Sequence, residues 1–529
     1  MQQNQRTTAD SLLGFVTPSA SPAHGSPSET RPDRGDQYRL ASDFLTYLPA
    51  QIVPAVLSMI GAALFTRMVS VEEYGLYSLV LAIVNIVALP IAQLVCQPVL
   101  RFACEAQDQD KRGKVLWAGM LALGATTAVG SIVSVLVAAR TRGAANDLAA
   151  LGLSLAILVI AVGFAQAILQ ADLRPVASAR YSVALGIVQL LATVGLVVLR
   201  PKGTSLLLGM AIAHSCALVM MARSLRLPGI HILSTLTRSD IAQHMSYGVP
   251  LMGWFACAQL LHSGGRLVVG RLAGVSAVAI YSSGCTLTTT LLAFVLAPLL
   301  TASHPLVMST VGVGQGDKVE LLIGRASAYT ALLGAGTLAA VFALRKDLIS
   351  LLAPDYAEGA QVVFWVGLGF LIWRMALIGH KSLEIERRTT VMLGLGALSA
   401  TVNVMLGLWF VPWQGYRGAA VATFVSYSVY GVAVYLATRR TSIGWSIPWS
   451  SVLRSGIAAL VSAGAAQAVA AFFAGQALLV RLVCAGTACA CLYVGALLVL
   501  GEPGLWVLLE VAKRAVLQRS SGSERENRP

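Results

Sequence analysis

From residue 44 onward the chain alternates between apolar runs of 17 to 26 residues and short polar gaps. Runs of this length span the hydrocarbon core of a bilayer as helices. Each helix then satisfies its own backbone polar groups, as a membrane interior demands. The dyad alternation of a membrane β-barrel is absent. The pattern predicts an all-α polytopic membrane protein with about fourteen transmembrane helices. The first six spans fall at 44–66, 76–100, 115–139, 148–169, 177–199 and 204–222. The next six fall at 247–272, 277–300, 328–344, 360–379, 390–411 and 418–437, and a last pair at 452–473 and 477–500.

Two features group these spans. A basic gap with Arg223, Arg226 and Arg238 separates the first six from the next six. The two sets also share an internal repeat. Arg67 closes span one and Tyr77-Ser78 follows ten residues later; Arg271 closes span seven and Tyr281-Ser282 follows at the same interval. Pro201-Lys-Gly203 and Pro412-Trp-Gln-Gly415 each precede a span rich in small residues. The offsets, 204 and 211 residues, are close to each other. Two six-helix lobes in parallel repeat follow, related by an axis along the membrane normal and placed to rock around a central cavity. The expected divisions are a tail at 1–40, an N-lobe at 41–222 and a linker at 223–246. A C-lobe at 247–437, a helix pair at 438–500 and a basic tail at 501–529 complete them.

Residues 1–40 are polar and rich in Ser, Pro, Gly and Arg, the composition of a disordered tail. Leu12 to Val16 is too short for a signal-peptide core, so the tail is expected to stay on the mature protein.

Charge placement gives an orientation. The chain is 56% hydrophobic and 12% charged, with a net charge of +14. That excess does not mark a nucleic-acid binder, because the charges cluster in the gaps between spans. Gaps and span ends on the N-terminal side carry 26 Lys and Arg against nine on the other side. Without the two tails the bias is still 17 against nine, which predicts cytoplasmic termini for an inner-membrane protein.

Within the spans, cations are the candidate chemistry. A charge at bilayer depth costs from about 3 to well over 10 kcal/mol, which makes intramembrane Arg a functional hypothesis. Arg266 lies deep in span seven and Arg374 in the inner half of span ten. Arg67 and Arg271 are related by the repeat; Arg101 and Lys381 sit at inner ends, where a cytoplasm-open cavity begins. For each the alternative is an interface anchor or a snorkelling side chain. Arg481 reads as an interface or lipid-facing residue. The amides Asn85, Gln93, Gln97, Gln166, Gln189 and Gln259 fit either a polar cavity wall or interhelical hydrogen bonds.

Other chemistries find little support. The acids, Glu384 and Glu386 among them, fall at span ends or in loops, and no carboxylate is placed as a proton relay. His214, His244, His262, His304 and His380 are scattered, without the paired acids a membrane sugar polymerase or acyltransferase needs. No Walker A motif is present, and no cofactor or metal is expected. Most cysteines lie in apolar segments and read as packing residues.

The residues 67–84, RMVSVEEYGLYSLVLAIV, resemble the first hairpin of the Wzx-type polysaccharide and O-antigen flippases of the MATE/MOP superfamily. Residues 265–300 resemble that family's seventh and eighth helices, and Gly415 to Tyr430 its helix-twelve entry. The resemblance covers about residues 41–500. It departs at Gly265, where the family often has an acid, so no ion pair for Arg266 is carried over. The resemblance implies a substrate of undecaprenyl pyrophosphate carrying an oligosaccharide, for exopolysaccharide, O-antigen or capsule biosynthesis. Its further partners would be membrane lipids, a polysaccharide polymerase and a chain-length regulator. Guanidinium forks suit the pyrophosphate. A multidrug exporter or a lipid II flippase of the same superfamily is the alternative.

Overall fold

The computed structural model describes residues 56–510, apart from 107, 141–143, 173, 313–315 and 387, together with 53 and 513. The polar tail expected over residues 1–40 and the first part of span one lie outside the described residues, as does most of the terminal basic tail. No strand occurs among the described residues.

Fourteen main helices follow in order. They are α1 Val56–Met68, α2 Val71–Glu105, α3 Gln109–Arg140, α4 Ala144–Ala171, α5 Pro175–Leu199, α6 Gly203–Ala222 and α7 Arg238–Leu272. Then come α8 Val275–Gly312, α9 Gly316–Ala343, α10 Val363–Gly379, α11 Thr389–Gln414, α12 Tyr416–Thr438, α13 Trp449–Phe472 and α14 Leu478–Val499. Twelve of the described helices are long and apolar enough to cross a membrane. The other two take the places of spans one and seven. Of span one only residue 53 and residues 56–66 are described, and α7 carries His244, Gln259, His262, Arg266 and Arg271 along its length. This is a multi-pass membrane protein. Its outward residues agree: Leu199, Leu460, Leu479 and Val499 are exposed as lipid-facing side chains, and Trp413, Trp449 and Phe472 are exposed near helix ends.

Several helices run past the expected spans. The start of α7 shows the cause. Thr237 accepts a hydrogen bond from the Asp240 backbone N–H, and the Asp240 carboxylate accepts one from the Thr237 N–H at 2.8 Å. This capping box launches the helix about three turns before the apolar run begins. Asp240 is held below the usual carboxylate range, first by its hydrogen bond from the Thr237 hydroxyl. The segment before it rests on α3, where the Trp117 indole donates to the Gly229 carbonyl. On the same side Arg112 pairs with Asp172.

The two six-helix lobes repeat one set of neighbours. In the first lobe α2 packs on α4, α4 on α6 and α6 on α5; in the second α8 packs on α10, α10 on α12 and α12 on α11. The pair α13–α14 packs on itself and against α9. Arg481 at the start of α14 pairs with Asp347, 2.5 Å away in the segment after α9, so it is engaged by protein rather than lipid.

The lobes meet along α2, which lies against α7 and the start of α8. Glycines permit the approach at both ends. A Cβ at Gly75 would sit 2.2 Å from the Val275 carbonyl oxygen, and one at Gly248 would sit 2.6 Å from that of Leu94. Pro98, four residues on, supplies no N–H to the Leu94 carbonyl, which leaves that oxygen facing the seam. The Tyr-Gly-Leu-Tyr turn thus has a packing role: Gly75 admits α8 while Tyr74 and Tyr77 are buried beside it. Tyr356, from the turn Pro354–Gln361, packs edge-on against Tyr74 and closes the same end between the lobes.

Candidate substrate cavity

Between the lobes lies a cavity of about 530 Å³. Its N-lobe wall comes from α1, α2, α5 and Met210 of α6; its C-lobe wall comes from α7 and α8. A second pocket of about 430 Å³ adjoins it between α1 and α8. The two share Ser58, Ala62, Tyr74, Thr286 and Thr290. They differ in character. The larger holds Asn85, Gln189, His262, Arg266 and several hydroxyls. The smaller is lined mainly by aliphatic side chains, including Met59, Ile60, Leu64, Leu287 and Leu348, with Arg67 at its edge. Val56, Ile60 and Leu64 are exposed, so this apolar pocket reaches the lipid-facing surface. No described residue lining either space is a carboxylate.

Arg266 is the cation of the larger cavity. Its Nε donates to Ser282 Oγ at 3.1 Å, Nη1 to the His262 carbonyl at 3.2 Å and Nη2 to Thr286 Oγ1 at 3.4 Å. Neutral acceptors aim the fork and leave its charge uncompensated. The departure at Gly265 has a steric reason: a Cβ there would lie 2.8 Å from the Tyr281 hydroxyl oxygen. A side chain at position 265 would have to displace Tyr281.

His262, one turn earlier, joins a second cation to the first. Its Nδ1 is 2.9 Å from the Tyr427 hydroxyl on α12, and its ring packs on Phe370 of α10. The guanidinium of Arg374 lies 4.7 Å above the other partner of that contact, the Phe370 ring. Arg374 Nε is buried without a hydrogen-bond partner. Arg266, His262 and Arg374 therefore form one basic group on the C-lobe.

The remaining candidates are placed differently. Arg67 lines the apolar pocket and is exposed. Arg271 is exposed at the end of α7 and lines neither space. Arg101 packs over the rings of Tyr247 and Phe102 at the lobe seam. Lys381 pairs with Glu384 at 2.6 Å. That carboxylate also meets buried His380 at 2.9 Å, and His380 reaches Tyr430, to which the Trp254 indole donates. Glu384 thus belongs to a largely buried network, and His380 is partnered, unlike the scatter read from sequence. Asn85 and Gln189 face the cavity, while Gln93 and Gln97 bond each other at 2.7 Å and Gln166 donates to Ser182. The sequence passed over His262 because its partners, Tyr427 and Phe370, lie more than 100 residues away. Its one local signal was the i, i+4 spacing to Arg266. Among the described residues no three His, Cys, Asp or Glu converge as metal ligands.

A family model described as polysaccharide biosynthesis protein matches residues 40–311, just over half of the chain. The chain belongs to that family. The match covers the first lobe, α7 and nearly all of α8, and with them every described residue lining the larger cavity. Among curated proteins, none matches the sequence.

Solved structures share the fold of this polysaccharide biosynthesis protein at low identity. The lipid II flippase MurJ in an inward closed conformation aligns with TM-score 0.60 and 10% identity, covering 85% of this chain and 98% of that one. A MATE structure in complex with MaL6 aligns with TM-score 0.58 and 11% identity, covering 78% and 98%. A MOP superfamily transporter from Pyrococcus furiosus, described as having a binding pocket of reverse polarity, aligns with TM-score 0.57 and 12% identity over 78% of this chain and 98% of that one. The architecture is that of the MOP-type transporters.

Proposed function

We propose that this protein is a flippase. It carries an undecaprenyl-pyrophosphate-linked oligosaccharide across the bacterial inner membrane by alternating access, for exopolysaccharide, O-antigen or capsule biosynthesis. The observation that carries this reading is Arg266 facing a cavity whose described lining has no acid, beside an apolar pocket that reaches the lipid surface. An anionic headgroup on a hydrocarbon tail fits both at once. Guanidinium donors match pyrophosphate oxygens, and the tail stays in the apolar pocket. A drug exporter for organic cations would need carboxylates where this cavity has Arg266.

The orientation rests on the charge bias, which places the linker and both termini in the cytoplasm. Arg266 then sits in the outer half of the membrane, beyond the closed α2–α7 seam. Transport rather than catalysis accounts for a polar chamber without paired acids. A polymerase and a chain-length regulator would receive the delivered units.

Deleting the gene is expected to abolish surface polymer while labelled lipid-linked repeat units still assemble on the cytoplasmic face. Repeat units reaching the outer leaflet at the normal rate in the deletion strain would overturn the proposal.

A further inference from the structure

The two walls of the larger cavity differ in kind. The C-lobe wall carries Arg266 and His262; the N-lobe wall is uncharged and presents two carboxamides, Asn85 on α2 and Gln189 on α5. Both are half-buried, and neither has a hydrogen-bond partner among the described residues. Three other intramembrane amides of the N-lobe differ. Gln93 and Gln97 satisfy each other, and Gln166 is satisfied by Ser182. Amides that face the chamber without a protein partner are free to bond what the cavity holds.

The chemistry of that partner follows from the donors and acceptors on offer. A carboxamide presents two N–H donors and a carbonyl acceptor, whereas a guanidinium only donates. A sugar hydroxyl also donates and accepts, and it needs no charge opposite it. Gly61 and Gly186 on the same wall let α1 and α5 pack closely, a Cβ at Gly186 lying only 3.1 Å from the Leu57 side chain.

We infer that Asn85 and Gln189 form a sugar-reading subsite opposite the phosphate-binding wall, so that one lobe holds the pyrophosphate and the other selects the oligosaccharide. The inference rests on the flippase reading and assigns each lobe a part of the same substrate. It makes Asn85 and Gln189 specificity residues, separable in effect from Arg266.

The test uses full-length protein in nanodiscs and two probes. One is the lipid-linked oligosaccharide extracted from a strain lacking this gene; the other is sugar-free undecaprenyl pyrophosphate. Asn85→Leu and Gln189→Leu are each expected to weaken binding of the glycosylated lipid by about threefold to tenfold, the worth of a lost neutral hydrogen bond. Binding of the sugar-free lipid should stay at the wild-type value in both variants, which also shows that they are folded. Arg266→Ala should weaken both lipids together. Equal losses for the two probes in the leucine variants, or no loss for either, would overturn the subsite and leave the flippase reading standing. Failure of the wild type to bind either probe would remove the flippase reading, and the subsite with it.

Discussion

Arg266→Ala is expected to abolish polymer export while the protein remains at its normal level in the membrane. The side chain is held by three neutral acceptors from α7 and α8, so its removal leaves hydroxyls and a carbonyl that the chamber's water satisfies. What is lost is the charge and its fork. Hydrogen bonds to a charged group contribute about 1.5–3 kcal/mol each, so losing one weakens substrate binding on the order of 10- to 100-fold. Arg374 does not replace it, because that guanidinium packs on the Phe370 ring and lines neither space. Arg266→Lys keeps the charge without the bidentate geometry and should retain part of the activity. Surface polymer in a complemented deletion strain, read with an immunoblot, checks this. Full export by the alanine variant would remove Arg266 from the substrate path.

Ala62→Trp is the second substitution expected to have a large effect. Ala62 lines both the polar chamber and the apolar pocket, so it stands where headgroup and tail would join. An indole at that position fills the passage between α1 and α8. Export should fall by about fivefold to 150-fold, on the scale of an overpacking cost of about 1–3 kcal/mol set against the bound state. Ala62→Ser, which adds one atom, should export normally. The readout is again surface polymer, with thermal unfolding of the purified variant to show that the bundle persists. Normal export by the tryptophan variant would mean that the tail takes another route.

The bundle itself was open to reading because lipid imposes one rule on every span, and apolar runs report it directly. The exception carries the lesson. α7, read as span seven at 247–272, is less apolar than the twelve helices long and apolar enough to cross a membrane, since its polar side chains serve the cavity and the seam. Its extension back to Arg238 came from a capping box, a local signal that hydropathy does not weigh. In the site, Arg266 and Arg374 were visible as charges far from span ends. Their common neighbourhood was not, because it is made by His262, Phe370 and Tyr427 from three helices. Charges near span ends were harder still. Arg101 and Lys381 look alike in sequence, yet one lies on aromatic rings and the other on Glu384, and only packing decides which. The same holds for the amides: Gln93 and Gln97 face each other one turn apart, whereas Asn85 faces the cavity.

The most direct test is a flipping measurement on the purified protein. Proteoliposomes would carry lipid-linked oligosaccharide with labelled sugars, and periodate added outside would report the fraction of headgroups in the outer leaflet. With the protein present, the oxidised fraction should climb past the outer-leaflet share toward completion, and Arg266→Ala vesicles should stay at that share. Vesicles containing active wild-type protein that never pass the outer-leaflet share, like protein-free vesicles, would contradict the account.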